Sequence, residues 1–218
     1  MLPMMVAWPV PFILNPDNFA VDAVVSFCVA VLLTITINAE AQAFMATFLG
    51  DARTGAKDRF HFIAFMHLDV WGTVCYLAGG FGWPRMISVD ESKFKHPRLY
   101  TFLTRLAGPV ANLLLASIAG SLVALMKIAD FDSRVFLMVM GVNITTAVYN
   151  LVLIPPLAGG AFISALIPGN METIKRWFNL IGPYIIVAVV MLERIKGELP
   201  FRGYLDPLVM AIFNYLKG

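Results

Sequence analysis

Long apolar runs, interrupted by short polar stretches, set the pattern of this chain. Ala23 to Ala39 carries no charge, and after Glu40 the apolar character resumes as far as Gly50. Leu106 to Met126 is a second uncharged run. Val135 to Met171 has no charge at all, but Pro155-Pro156 and Gly159-Gly160 divide it into a span and a shorter piece. Trp177 to Leu192 is a further span of marginal length. A bilayer core of about 30 Å takes about 20 apolar residues as a helix, so these runs predict a core of about four transmembrane helices. Phe60 to Trp83 is hydrophobic too, yet it carries His67 and Asp69 and ends in Gly79-Gly80-Phe81-Gly82-Trp83. That pattern predicts a re-entrant, partly β-like segment rather than a crossing.

Charge sharpens the topology. Arg53, Lys57 and Arg59 follow the first run, and Arg85, Lys93, Lys95, Arg98 and Arg105 precede the second. A re-entrant 60–83 puts both groups on one side, which the positive-inside rule makes the cytoplasm; the basic residues near the C-terminus fit this arrangement less well. The sequence reads as a single membrane domain over 1–218. Residues 1–19 form an apolar segment whose first fifteen residues have prolines at 3, 9 and 11 and no basic residue, so neither a regular helix nor a cleaved signal peptide is expected. Residues 20–196 are the core. Within 197–218, Leu205–Leu216 is too short to span and reads as an interfacial helix, with Tyr204 and Tyr215 at headgroup-like positions.

Composition agrees. The chain is 59% hydrophobic and only 14% charged, where a soluble domain carries about 25% charged residues. An ordinary soluble enzyme, a disordered chain and a disulfide scaffold are excluded, and the expected class is an all-α integral membrane protein in contact with lipid. A net charge of +2 without a Lys/Arg block gives no reason to expect nucleic acid. Cys28 and Cys75 both lie in apolar runs and read as packed small side chains.

Polar residues inside such runs are costly and call for an explanation. Glu40 stands near the end of the first run, and its expected hydrogen-bond donors are Gln42 or Asn150. Gly108, Asn112, Ala116, Gly120 and Ala124 recur every four residues and predict a close helix–helix contact of the small-xxx-small type. Asn143 and Asn150, seven apart, share a face that leads into Pro155, Pro156 and Gly159. A helix broken within the membrane needs protein or water to satisfy its freed backbone groups, so this turn is a candidate site or a helix end.

Several of these landmarks together resemble the site-2 protease family of intramembrane zinc metalloproteases. The matching pieces are Ala39-Glu40-Ala41-Gln42-Ala43, His67-Leu68-Asp69, Phe81-Gly82-Trp83-Pro84-Arg85, Ala107-Gly108-Pro109-Val110-Ala111-Asn112, and Asn150 through Gly160. The resemblance implies a site-2-protease-like helical bundle, and in the family the first piece reads His-Glu-x-x-His. Two histidines four apart bind zinc from one helix face while the glutamate activates the metal-bound water, and an aspartate in the last piece is the third ligand. Here all three ligand positions hold alanine: Ala39, Ala43 and Ala158. Only Glu40, the would-be base, and Asn150 remain as vestiges of a catalytic set. His61, His67 and His96 are the only histidines. His67 with Asp69 offers a ligand pair, but those positions correspond to the family's loop region rather than its metal centre, and the expectation is no zinc and no other cofactor.

The leading reading is therefore a catalytically inactive pseudoprotease that keeps the fold and its substrate groove. Gln42, His67, Asp69, Gly108, Asn112, Asn143, Pro155, Pro156 and Gly159 are its candidate groove and helix-packing residues. It would bind transmembrane helices of other proteins as a scaffold subunit or assembly factor, in a bacterial cytoplasmic membrane. A second reading is an intramembrane zinc metalloprotease whose ligands were replaced by alanine for study; the intact Glu40 argues against it. A third is a quinone- or lipid-binding or transporter-like subunit reusing the cavity, for which no motif speaks.

Overall fold

The computed structural model describes residues 20–52, 60–196 and 202–218, with backbone alone for 194–196. The expectations for 1–19, for the basic residues Arg53, Lys57 and Arg59, and for 197–201 lie outside the described residues. The elements are α1 (Val21–Phe48), α2 (Val70–Gly79), α3 (Pro97–Ile128), α4 (Arg134–Tyr149), α5 (Ala158–Leu166), α6 (Glu172–Lys196) and α7 (Arg202–Lys217). Among the described residues there is no strand, only an isolated antiparallel bridge between Leu68 and Pro84. Among the described residues three stretches are long and apolar enough to cross a bilayer: α1, α3, and Gly169–Glu193, which takes in most of α6. The chain is an all-α membrane protein.

The remaining predicted span differs from expectation in length. Helix α4 has 16 residues, about 24 Å at 1.5 Å per residue. Its position makes up for this: every residue from Val139 to Tyr149 is buried, and it packs on both α1 and α3. Most of α4 faces protein, not lipid.

Helix α1 shows how the bundle is assembled. Val21, Val25, Val29 and Leu33, spaced by four, are exposed on the outer face, while Ala30, Thr34, Asn38, Ala39 and Gln42 are buried. Lipid tails are as apolar as leucine, so helices in a membrane associate through close contact of small residues and through polar groups. Helix α3 follows the same rule. Gly108 lies against Asn38 of α1, where a Cβ would come within 2.3 Å of the Asn38 amide oxygen. Gly120 does the same for α7, where a Cβ would sit 2.8 Å from the carbonyl oxygen of Leu216. Asn112 and Ala116 are buried between them, but Ala124 is exposed and Val123 takes the inward position. Four-residue steps drift about 40° per step around a helix of 3.6 residues per turn, so the fifth member of the stripe has left the face.

The segment between α1 and α3 begins and ends at the same end of the bundle. The backbone N–H of Asp90 donates to Asp51 Oδ2 at 3.0 Å, and Gly50 abuts the carbonyl of Lys93. Helix α2 has 10 residues and spans about 15 Å, half of what a crossing needs. Asp69 caps its start by accepting from the Gly72 N–H (2.8 Å), and Gly80 ends it in the left-handed conformation (φ 79°). Asp69 also accepts from the Trp83 indole N–H (3.0 Å), and Gly72 and Gly82 let the returning chain lie directly on α2. The sequence-predicted dip is thus a short capped helix folded back on an extended return. Helix α7 buries Val209 and Phe213 and packs on α3 and α4, leaving Tyr204 and Tyr215 exposed.

Candidate functional site

Glu40 lies on the inward face of α1 and is only 5% exposed, in a span where a carboxylate has no water to rely on. Its Oε1 accepts from the backbone N–H groups of His61 (3.2 Å) and Phe62 (2.9 Å), and His67 Nε2 lies 3.0 Å from the same oxygen. His67 is likewise buried, and the rings of His61 and His67 stack with centroids 4.4 Å apart. Phe62 holds φ at +48°, a region uncommon outside glycine. That turn follows directly on the two N–H groups aimed at Glu40. The second oxygen, Oε2, is buried with no hydrogen-bond partner.

The donors are not the expected ones. Gln42 points elsewhere: its Nε2 donates to Asn38 Oδ1 (2.7 Å) and its Oε1 accepts from Arg105 (2.8 Å). Asn150 is occupied within its own turn, donating to the carbonyl of Thr146 (2.8 Å) and accepting the Ala158 N–H (3.4 Å). Asn143 donates to the carbonyl of Val139 inside α4. Asp69 is separated in role from His67, because its carboxylate is committed to the α2 cap and Trp83. Pro155, Pro156 and Gly159 form the tight turn into α5. A Cβ on Gly159 would meet the Leu151 carbonyl at 2.3 Å, one on Gly160 the Pro155 nitrogen at 2.1 Å, and one on Gly182 of α6 the Pro155 carbonyl at 2.2 Å. That turn is a packing joint between helices, not an open site.

Ala39, Ala43 and Ala158 are buried and offer no donor atom where the family resemblance would put zinc ligands. The expectation of no zinc is nevertheless overturned. Glu40, His61 and His67 each bring one ligand atom to within 4.8 Å of the others. Two imidazoles and a carboxylate form a three-ligand set of the kind that holds catalytic zinc with one position open, and the orphaned Oε2 is free to serve it. His61 went unrecognised because it lies 21 residues from Glu40 in a segment without periodicity. The only available signal was that this chain's two neighbouring histidines fall in one short stretch after α1.

Beside this group an apolar groove of about 470 Å³ opens on the outer face of the bundle. Ile37, Phe44, Phe62, Val110 and Leu114 line it, with Glu40 as its polar edge.

No family model matches the chain, and no solved structure matches it. Among curated proteins it is similar to "Putative zinc metalloprotease YwhC" of Bacillus subtilis (strain 168). The two are 34% identical over 153 residues, which cover 66% of this chain and 70% of the relative. Identity at that level over most of both chains implies a common fold, and the helical membrane bundle described above agrees with the resemblance read from the motifs. The chain belongs to the site-2-protease-like family of membrane metalloproteases.

Proposed function

We propose that this protein holds an apolar membrane segment of a partner in the groove beside Glu40 without cutting it, as a scaffold or assembly subunit in a bacterial cytoplasmic membrane. The observation that carries this reading is the state of Glu40. A general base must reach a water molecule, but here Oε1 already accepts from the backbone N–H groups of His61 and Phe62, with His67 Nε2 3.0 Å away, and the other oxygen, Oε2, is buried. The family's ligand positions at 39, 43 and 158 carry methyls, so the groove retains a recognition surface beside an unsuited base. Its lining comes from α1, α3 and the segment after α1, elements that already sit at the bundle's outer face. A segment lying in the membrane reaches it without crossing a polar barrier.

The competing reading, peptide hydrolysis, is favoured by the relative's name and by the Glu40–His61–His67 group. Reconstitution in liposomes with single-span segments separates the two. A photoreactive residue at Leu114 should crosslink to an intact segment. Cleavage above a protein-free control, abolished by Glu40→Gln, would overturn the proposal.

A further inference from the structure

We infer that Glu40, His61 and His67 form a binding site for one divalent cation of the zinc class, built jointly by α1 and the segment that follows it. The ligand atoms already converge within 4.8 Å. Glu40 Oε2 adds to this: it is one of several buried side-chain atoms without a hydrogen-bond partner among the described residues, and the one that belongs to this group of ligand-bearing side chains. Buried polar atoms are otherwise nearly always satisfied, and a cation is the partner that this oxygen and two flanking imidazoles share. The other oxygen is held by the backbone N–H groups of His61 and Phe62, the outer-shell support that orients a ligating carboxylate. Imidazole and carboxylate together favour zinc and its first-row neighbours over calcium or magnesium, which take oxygen ligands.

This set differs from the family's in kind. The family's histidines share one helix face, whereas here both come from residues 61–67 and only the carboxylate comes from α1. The ion would therefore act as a clip, fastening the segment that walls the groove to the helix beneath it. It would also make Glu40 a ligand and remove it as a base. The inference does not depend on what occupies the groove.

The test uses the full chain in detergent, stripped with chelator and titrated with cobalt(II) and then zinc(II). We expect visible ligand-field absorption that saturates at one cobalt per chain and is displaced by one equivalent of zinc. His61→Ala and His67→Ala should each weaken zinc binding by on the order of tenfold or more, since even outer-shell partners are worth that much. His96→Ala, at the start of α3 beside Tyr100, should leave affinity unchanged. Should His67→Ala fail to fold, the half-buried His61 variant and the wild-type cobalt spectrum still decide the matter. Zinc should also slow amide hydrogen exchange across residues 60–67. Zinc well below one equivalent in the wild type, or binding indifferent to His61→Ala, would overturn the site whether or not the groove binds a segment.

Discussion

Two regions of this molecule carry motifs of the family, and they are held together in opposite ways. In the turn from Asn150 to Gly160 the contacts are local. The Gly159 N–H donates to the Asn150 carbonyl (2.8 Å), the Asn150 side chain spans Thr146 and Ala158, and glycines admit backbone where any Cβ would collide. Around Glu40 the contacts are remote. Its partners lie 21, 22 and 27 residues along the chain, and one carboxylate oxygen has none. The first region is a steric lock and tolerates no new atoms. The second is an assembly of donors around a charge, sensitive to chemistry more than to volume.

Substitutions can break or sharpen that contrast. The largest effect belongs to the lock: Gly160→Val should cost about 4 kcal/mol or more, the range reserved for severe overpacking, and prevent the protein from accumulating in membranes. A Gly160→Val protein with a normal thermal unfolding midpoint in detergent would break the steric half of the contrast. Glu40→Leu should come next, at about 1–3 kcal/mol, because it leaves buried His67 and the part-buried N–H groups of His61 and Phe62 without their acceptor. Glu40→Gln keeps an acceptor and should cost less than about 1 kcal/mol, the size of one hydrogen bond. If both substitutions shift the midpoint equally, volume and not chemistry governs the site. Asp69→Ala removes the α2 cap and the Trp83 contact together and should cost about 1–2 kcal/mol, seen also as a change in Trp83 fluorescence.

The smallest effect calibrates the others. Asp132, fully exposed between α3 and α4, has its carboxyl lowered by the hydrogen bond from the Arg134 side chain. A lowered folded value means that the stabilisation is present above the ordinary carboxylate range and lost as pH falls through the folded value. Exposed pairs contribute little after screening, so Asp132→Asn should leave the acid limb of a stability–pH curve where it was. A visible displacement would mean that surface charge matters more here than the comparison with buried Glu40 allows.

Much of the architecture was legible from runs and spacing. α1 and α3 follow from uncharged stretches and the α4–α5 break from Pro155-Pro156, whereas the partly β-like character expected of 60–83 is reduced to one bridge beside the short helix α2. What spacing could not supply was anything set by drift or by distance. Ala124 was placed on a face that a straight helix leaves after four steps. Gln42 and Asn150 were natural donors for Glu40 by neighbourhood, yet backbone N–H groups of an aperiodic segment took that role, and backbone donors leave no mark in residue identity. The candidate metal group was hidden for the same reason: its members share no helix face.

Helix α4 has a consequence for how the protein is made. It is short, carries Asn143, Thr145 and Thr146, and owes its place to neighbours on nearly every side. As it leaves the ribosome, such a helix is too short to fill a bilayer of about 30 Å by itself, so its seat depends on the helices already there. Helix α3 precedes it by only residues 129–133, and the Arg134 guanidinium reaches Asp22 at the start of α1 (2.9 Å). The order of synthesis thus sets both receptors in place first, and α4 enters as the closing arm of a hairpin, its partition decided by protein already in the bilayer.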